Sequence, residues 1–103
     1  MDKIAGLKEI LELDPKNSFA RYGLAMELAS RGETAASLVE FDMLLANDPG
    51  YTVGYFMAAQ TLAAAGRTYE AIARLKTGIE SARRGGNHHA VIEMQAMLEE
   101  LER

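Results

Sequence analysis

The sequence predicts an all-α chain of about six helices arranged as antiparallel hairpins. Three observations carry that prediction. Asp14-Pro15 returns as Asp48-Pro49 after 34 residues, and the same interval relates Ala25 to Ala59, Leu28 to Leu62 and Gly32 to Gly66. Between these marks apolar residues recur every three or four positions, the period of a helix with one buried face. Composition points the same way: Ala, Leu, Glu, Met and Arg dominate, and only two prolines interrupt 103 residues.

The breaks place helices over about 2–13, 18–31, 34–47, 52–65, 68–84 and 88–102. In the first, Ile4, Leu7, Ile10 and Leu11 share a face. Asp14-Pro15 ends it, because a proline disfavours helical geometry in the residue before it. The second helix carries Leu24, Ala25 and Leu28 and stops at Gly32, with Thr34 as the candidate N-cap of the next. Leu38, Phe41, Leu44 and Leu45 form the buried stripe of the third, which Asp48-Pro49 closes. The fourth presents Tyr55, Ala58, Ala59 and Leu62 and ends near Gly66, where Thr68 is again a candidate cap. Ile72, Leu75 and Ile79 mark the fifth, and Gly85-Gly86-Asn87 is the clearest later break. Val91, Met94, Leu98 and Leu101 then give the last helix its apolar face. Connections this short force sequential helices to run antiparallel.

Length bounds the chain to one domain, 1–103, and the apolar content of 49% with 25% charged residues is that of a folded protein. Absence of cysteine removes disulfides, thiolate nucleophiles and thiolate metal ligands together. No apolar run reaches the roughly 18 residues that would span a bilayer, and Lys8, Glu9, Glu12 and Asp14 break up any leader-like segment at the start. The expectation is a cytoplasmic protein without a membrane partner. A formal charge of -4 argues against nucleic acid as a partner. The basic residues Arg67, Arg74, Lys76, Arg83 and Arg84 cluster in one stretch, which reads as a solvated helix face, with a partner-docking patch as the alternative.

A 34-residue helix-turn-helix unit with small and large residues in these slots resembles the tetratricopeptide repeat. Tyr55-x2-Ala58-Ala59-x2-Leu62 followed by Ala71-x3-Leu75 carries one copy, and Arg21-x2-Leu24-Ala25-x2-Leu28, Ser37-x3-Phe41 and Pro49 carry the other. Two departures stand out. Arg21 occupies a place where the family prefers tryptophan or another large apolar residue, and Arg83 replaces the closing proline, which predicts a longer fifth helix. The resemblance implies a short right-handed superhelix divided into an N-terminal helix at 1–17, repeats at 18–51 and 52–85, and a capping helix at 86–103. The chain is also similar to short bacterial members that finish with a glycine-rich break and an acidic last helix.

The resemblance further implies that the first helix of each repeat lines a concave surface. Phe19, Tyr22 and Met26 form a second apolar stripe on the second helix, and Val53, Phe56, Met57 and Gln60 occupy corresponding places on the fourth. His89 and Ile92 extend the stripe onto the last helix, followed by Ala96. These residues predict an apolar, aromatic groove for a peptide or a segment of a partner protein. Two other readings compete: the side chains fill the core, or they join two copies into a homodimer. A chaperone-tail clamp is disfavoured, since a terminal carboxylate requires cationic donors and the groove places hold none.

Enzymatic chemistry has little to stand on. Neither a phosphate loop nor a nucleophile elbow is present, and Ser18, Ser30, Ser37 and Ser81 read as caps or packing residues. His88 and His89 are adjacent, so their side chains diverge by about 100° on a helix and do not converge on one ion. His89 and Glu93 have the spacing for two metal ligands, short of the four a structural zinc site uses. The sequence therefore predicts a non-enzymatic interaction module with no metal and no cofactor.

Overall fold

The computed structural model describes residues 2–103. All regular structure among them is helical: α1 (Lys3–Leu13), α2 (Ser18–Ser30), α3 (Thr34–Asn47), α4 (Thr52–Ala64), α5 (Thr68–Arg84) and α6 (His88–Leu101). The helices gather into two compact units, Met1–Asp48 and Pro49–Arg103, so the division falls inside the second Asp-Pro pair. No helix among the described residues is long and apolar enough to cross a membrane.

Helix ends follow from backbone chemistry. Gly32, Gly66 and Gly86 all adopt positive φ, at 78°, 78° and 72°, a region that a Cβ disfavours. This lets the following amides of Glu33, Arg67 and Asn87 turn back onto the carbonyls of Leu28, Leu62 and Ala82, each at 2.9 Å. Carbonyls that would otherwise lack partners at the helix end are thereby satisfied. At the Asp-Pro breaks the amides of Asp14 and Asp48 instead donate to Ile10 and Leu44, and the chain leaves the helix at once.

The threonines do not cap. Thr34 and Thr68 are the first residues of α3 and α5, and the N-cap places belong to Glu33 and Arg67, whose side chains make no capping bond. Asparagine does this work elsewhere: Asn17 Oδ1 accepts from the Ala20 amide at 2.9 Å, and Asn87 Oδ1 from the Ala90 amide at 3.1 Å.

In the first unit Ile4 and Leu11 of α1 pack with Ala20, Leu24 and Leu28 of α2, and Leu7 leans on the cluster. Ser37 and Ala25 mark the close approach of α3 to α2, where the buried Ser37 hydroxyl donates to the Ala25 carbonyl at 2.8 Å. Phe41, Leu44 and Leu45 are buried on the same face of α3. Arg21, the departure from the repeat pattern, is only 8% exposed. Its guanidinium donates to Glu40 at 2.6 Å and to the Pro15 carbonyl at 2.9 Å. Charge pairing and hydrogen bonding together make that burial tolerable.

The second unit repeats the scheme with different residues. Tyr55 stands 34 residues after Arg21, and its hydroxyl donates to the Pro49 carbonyl at 2.6 Å, 34 residues after Pro15. Ser81 of α5 donates to the same carbonyl at 2.8 Å, so the start of α4 is tied to α5 as well. Ala58, Ala59 and Leu62 of α4 are buried with Ala71, Leu75, Ile79 and Ala82 of α5 and with Met94 and Leu98 of α6. As Arg83 predicts, α5 continues to Arg84 with Gly85 as its C-cap.

Candidate functional site

The apolar faces that build the second unit also define a cleft on it. α4 contains no charged residue, and its buried line of Tyr55, Ala58, Ala59 and Leu62 leaves Val53 and Phe56 rotated toward the side where α6 lies. Gly78 brings α6 within reach. A Cβ at Gly78 would lie 2.5 Å from Tyr55 Cβ and 2.7 Å from Met94 Sδ, so only a bare backbone lets α5 sit against both neighbours. Asn87 fixes where α6 starts through its cap on Ala90.

Between α4 and α6 this leaves a cleft of about 150 Å³, to which α4 contributes Thr52, Val53 and Phe56. The other wall comes from Asn87, His89, Ala90, Glu93 and Met94. Met94 is buried and forms apolar floor, whereas His89 and Glu93 stand at the solvent edge, with His89 Nε2 3.4 Å from Glu93 Oε1.

Three of the residues the sequence nominates, Val53, Phe56 and His89, therefore share one cleft. Met57 is half-buried on α4, Gln60 is exposed, and Ile92 is 70% exposed on α6; none of these lines it. Phe19, Tyr22 and Met26 belong to the first unit. Phe19 there is 80% exposed. Tyr22 is half-buried, its ring meeting Phe41 edge-on at a centroid distance of 6.5 Å and 68° between planes, and Met26 is half-buried too. Glu93, Ala90 and Met94 were missed for a geometric reason. Equivalent positions on two helices give parallel stripes, but a cleft needs facing ones. On α6 the side turned to α4 is His89, Ala90, Glu93 and Met94 rather than His89, Ile92 and Ala96.

The basic stretch is largely matched by acids. Arg67 bonds Glu70, Lys76 Nζ lies 3.7 Å from Glu102, and Arg84 lies 3.9 Å from Glu80. The Arg67 guanidinium holds the Glu70 carboxyl below the usual carboxylate range. No group of three or more His, Cys, Asp or Glu side chains is placed to hold a metal ion among the described residues.

No protein-family model matches the chain, and no curated protein matches it. Solved structures do. A tetratricopeptide repeat domain protein from Salinibacter ruber, solved in solution, superposes with a TM-score of 0.81 over 86% of this chain and 90% of that one, at 31% identity. The chain belongs to the tetratricopeptide repeat family. The repeat fold is shared more widely. A Yersinia enterocolitica type III secretion translocator chaperone, SycD, matches at a TM-score of 0.86 and 19% identity, over 96% of this chain and 69% of that one. YrrB, a tetratricopeptide repeat protein with an unusual peptide-binding site, matches at a TM-score of 0.74 and 23% identity, over 87% of this chain and 45% of that one. In repeat terms, α2 with α3 and α4 with α5 are the two hairpins, and the cleft opens where the second hairpin meets α6.

Proposed function

We propose that this tetratricopeptide repeat protein is a non-enzymatic interaction module that holds a peptide or a segment of a partner protein by burying its apolar side chains. The observation that carries this reading is the α4/α6 cleft, where Val53 and Phe56 of the uncharged helix α4 share an apolar lining with Met94. Aromatic and methionine side chains supply broad, adaptable contact area for such a segment. Phe19, Met26, Met57, Gln60 and Ile92 are further contact candidates, with Gln60 a polar handle for a backbone and Tyr22 contributing the part of its ring that the core leaves uncovered. A peptide-binding protein and a secretion chaperone among the structural relatives support the same reading.

A mutational titration tests it. Peptides selected from a random library on the intact protein should lose about 2 kcal/mol of affinity or more with Phe56→Ala, the scale of a hot-spot aromatic. Their binding should depend weakly on salt, because apolar burial dominates. Steep salt dependence, with loss in Arg74→Glu and none in Phe56→Ala, would move the site to α5. The oligomer reading is tested by sedimentation at micromolar concentration: a dimer that Phe56→Glu dissolves would make the cleft a self-association surface.

A further inference from the structure

We infer that the α4/α6 cleft selects a segment in which an apolar anchor stands next to a cationic side chain, Lys or Arg, with Glu93 as the recognising group. The inference rests on the reading of this cleft as a polypeptide site and adds the chemistry of its occupant. Several observations support it.

The apolar floor of Phe56, Val53 and Met94 fits one aliphatic or aromatic side chain, given a volume of about 150 Å³. The edge of the same cleft carries a single carboxylate, Glu93, whose side chain is 52% exposed. No lining residue offers a permanent positive charge, and α4 has no charged residue at all. The only cation available to Glu93 from the lining is His89, at 3.4 Å, which is charged only when protonated. Finally, Glu100 lies seven residues beyond Glu93, two turns along the same side of α6, and extends the negative stripe. Opposite charge at the rim of an apolar pocket gives orientation and partner choice more than raw affinity. An acidic flank beside the anchor would meet Glu93 directly and be rejected.

The test uses the intact chain, labelled for amide NMR, and three capped peptides that are identical except at one position. Each carries a single leucine in a glycine-serine background, followed by Lys, Gln or Glu. Saturable shifts at Val53, Phe56, Ala90 and Glu93 are expected. The Lys peptide should bind about two- to fivefold tighter than the Gln peptide, the range of one solvent-exposed ion pair, and the Glu peptide should bind weakest. In Glu93→Gln the three affinities should converge, while Phe56→Ala weakens all three alike. Equal affinities in the unaltered protein would overturn the inference and leave the apolar reading standing. A Lys preference that survives Glu93→Gln would also overturn it, by assigning selectivity to another carboxylate. Absence of any peptide shift at the cleft would overturn both readings.

Discussion

Gly78 and Gly23 are both helical glycines, and residue chemistry separates them. In a helix interior, alanine is favoured over glycine by about 1 kcal/mol because glycine loses more backbone freedom on folding. At Gly23 a new Cβ would find Leu7 Cδ2 at 3.4 Å, an ordinary contact with the end of a flexible side chain. At Gly78 it would meet Tyr55 Cβ at 2.5 Å and Met94 Sδ at 2.7 Å, and Tyr55 is pinned by its bond to Pro49. Gly23→Ala is therefore expected to raise stability, by up to about 1 kcal/mol. Gly78→Ala should lower it by about 1 to 3 kcal/mol, the cost of overpacking, and should disturb the cleft. Urea unfolding of the two variants gives the signs directly. Equal effects at both positions would mean that α5 is not held as close to α4 and α6 as the contacts indicate.

At the scale of the helix, ends and links make separate predictions. Asn17 bonds the α2 N-terminus and Thr34 caps nothing, so Asn17→Ala should cost about 1 kcal/mol and Thr34→Ala a few tenths, measured by thermal unfolding. α1 is tied to α2 by a chain of charges: Asp2 Oδ1 accepts from Arg31 at 2.8 Å, Arg31 reaches Glu27 at 3.3 Å, and Lys3 lies 3.7 Å from Glu27. Hydrogen bonding by Arg31 draws the Asp2 carboxyl below its ordinary 3.8. A lowered folded value means the link stabilises above the unfolded value and is lost as pH falls through the folded one. NMR titration should accordingly find the Asp2 midpoint below 3.8, and Arg31→Gln should return it toward that value. An unchanged midpoint in the variant would rule out Arg31 as the cause.

For the molecule as a whole, the 34-residue interval made most of the fold legible. Leu28 and Leu62 occupy equivalent places and are both 6% exposed; Leu24, Phe41 and Leu75 are buried as their spacing predicts. Each of Leu28→Ala and Leu62→Ala should cost about 2 to 5 kcal/mol in denaturant unfolding, a large share of the total for a domain this small. A loss below about 1 kcal/mol at either position would show that its unit collapses around the cavity. Less legible were features that depend on two helices at once. Gly78 looks like an indifferent helix residue until Tyr55 and Met94 are seen on either side of it, and Glu93 reads from the sequence as part of the polar outer face of the last helix and a spacing partner of His89. Periodicity reports which way one helix faces. It is silent about the helix opposite, which is why Val53 and Phe56 were found on α4 but only His89 of the wall that α6 contributes.

Arg21 and Tyr55 are synonyms. One is a guanidinium and the other a phenol, yet each reaches the carbonyl of the proline six residues before it. Their neighbours changed with them: Glu40, which balances Arg21, corresponds to Arg74 in the following repeat. A dictionary of permitted letters scores Arg21 as an error, whereas a grammar of donors and acceptors reads the two repeats as the same phrase. Spelling in such a chain can drift a long way while the backbone stays put, provided each new letter still reaches its carbonyl and brings any counter-charge it needs. Relatives of this protein should thus be sought by the bonds they close over the Asp-Pro turns as well as by the residues that close them.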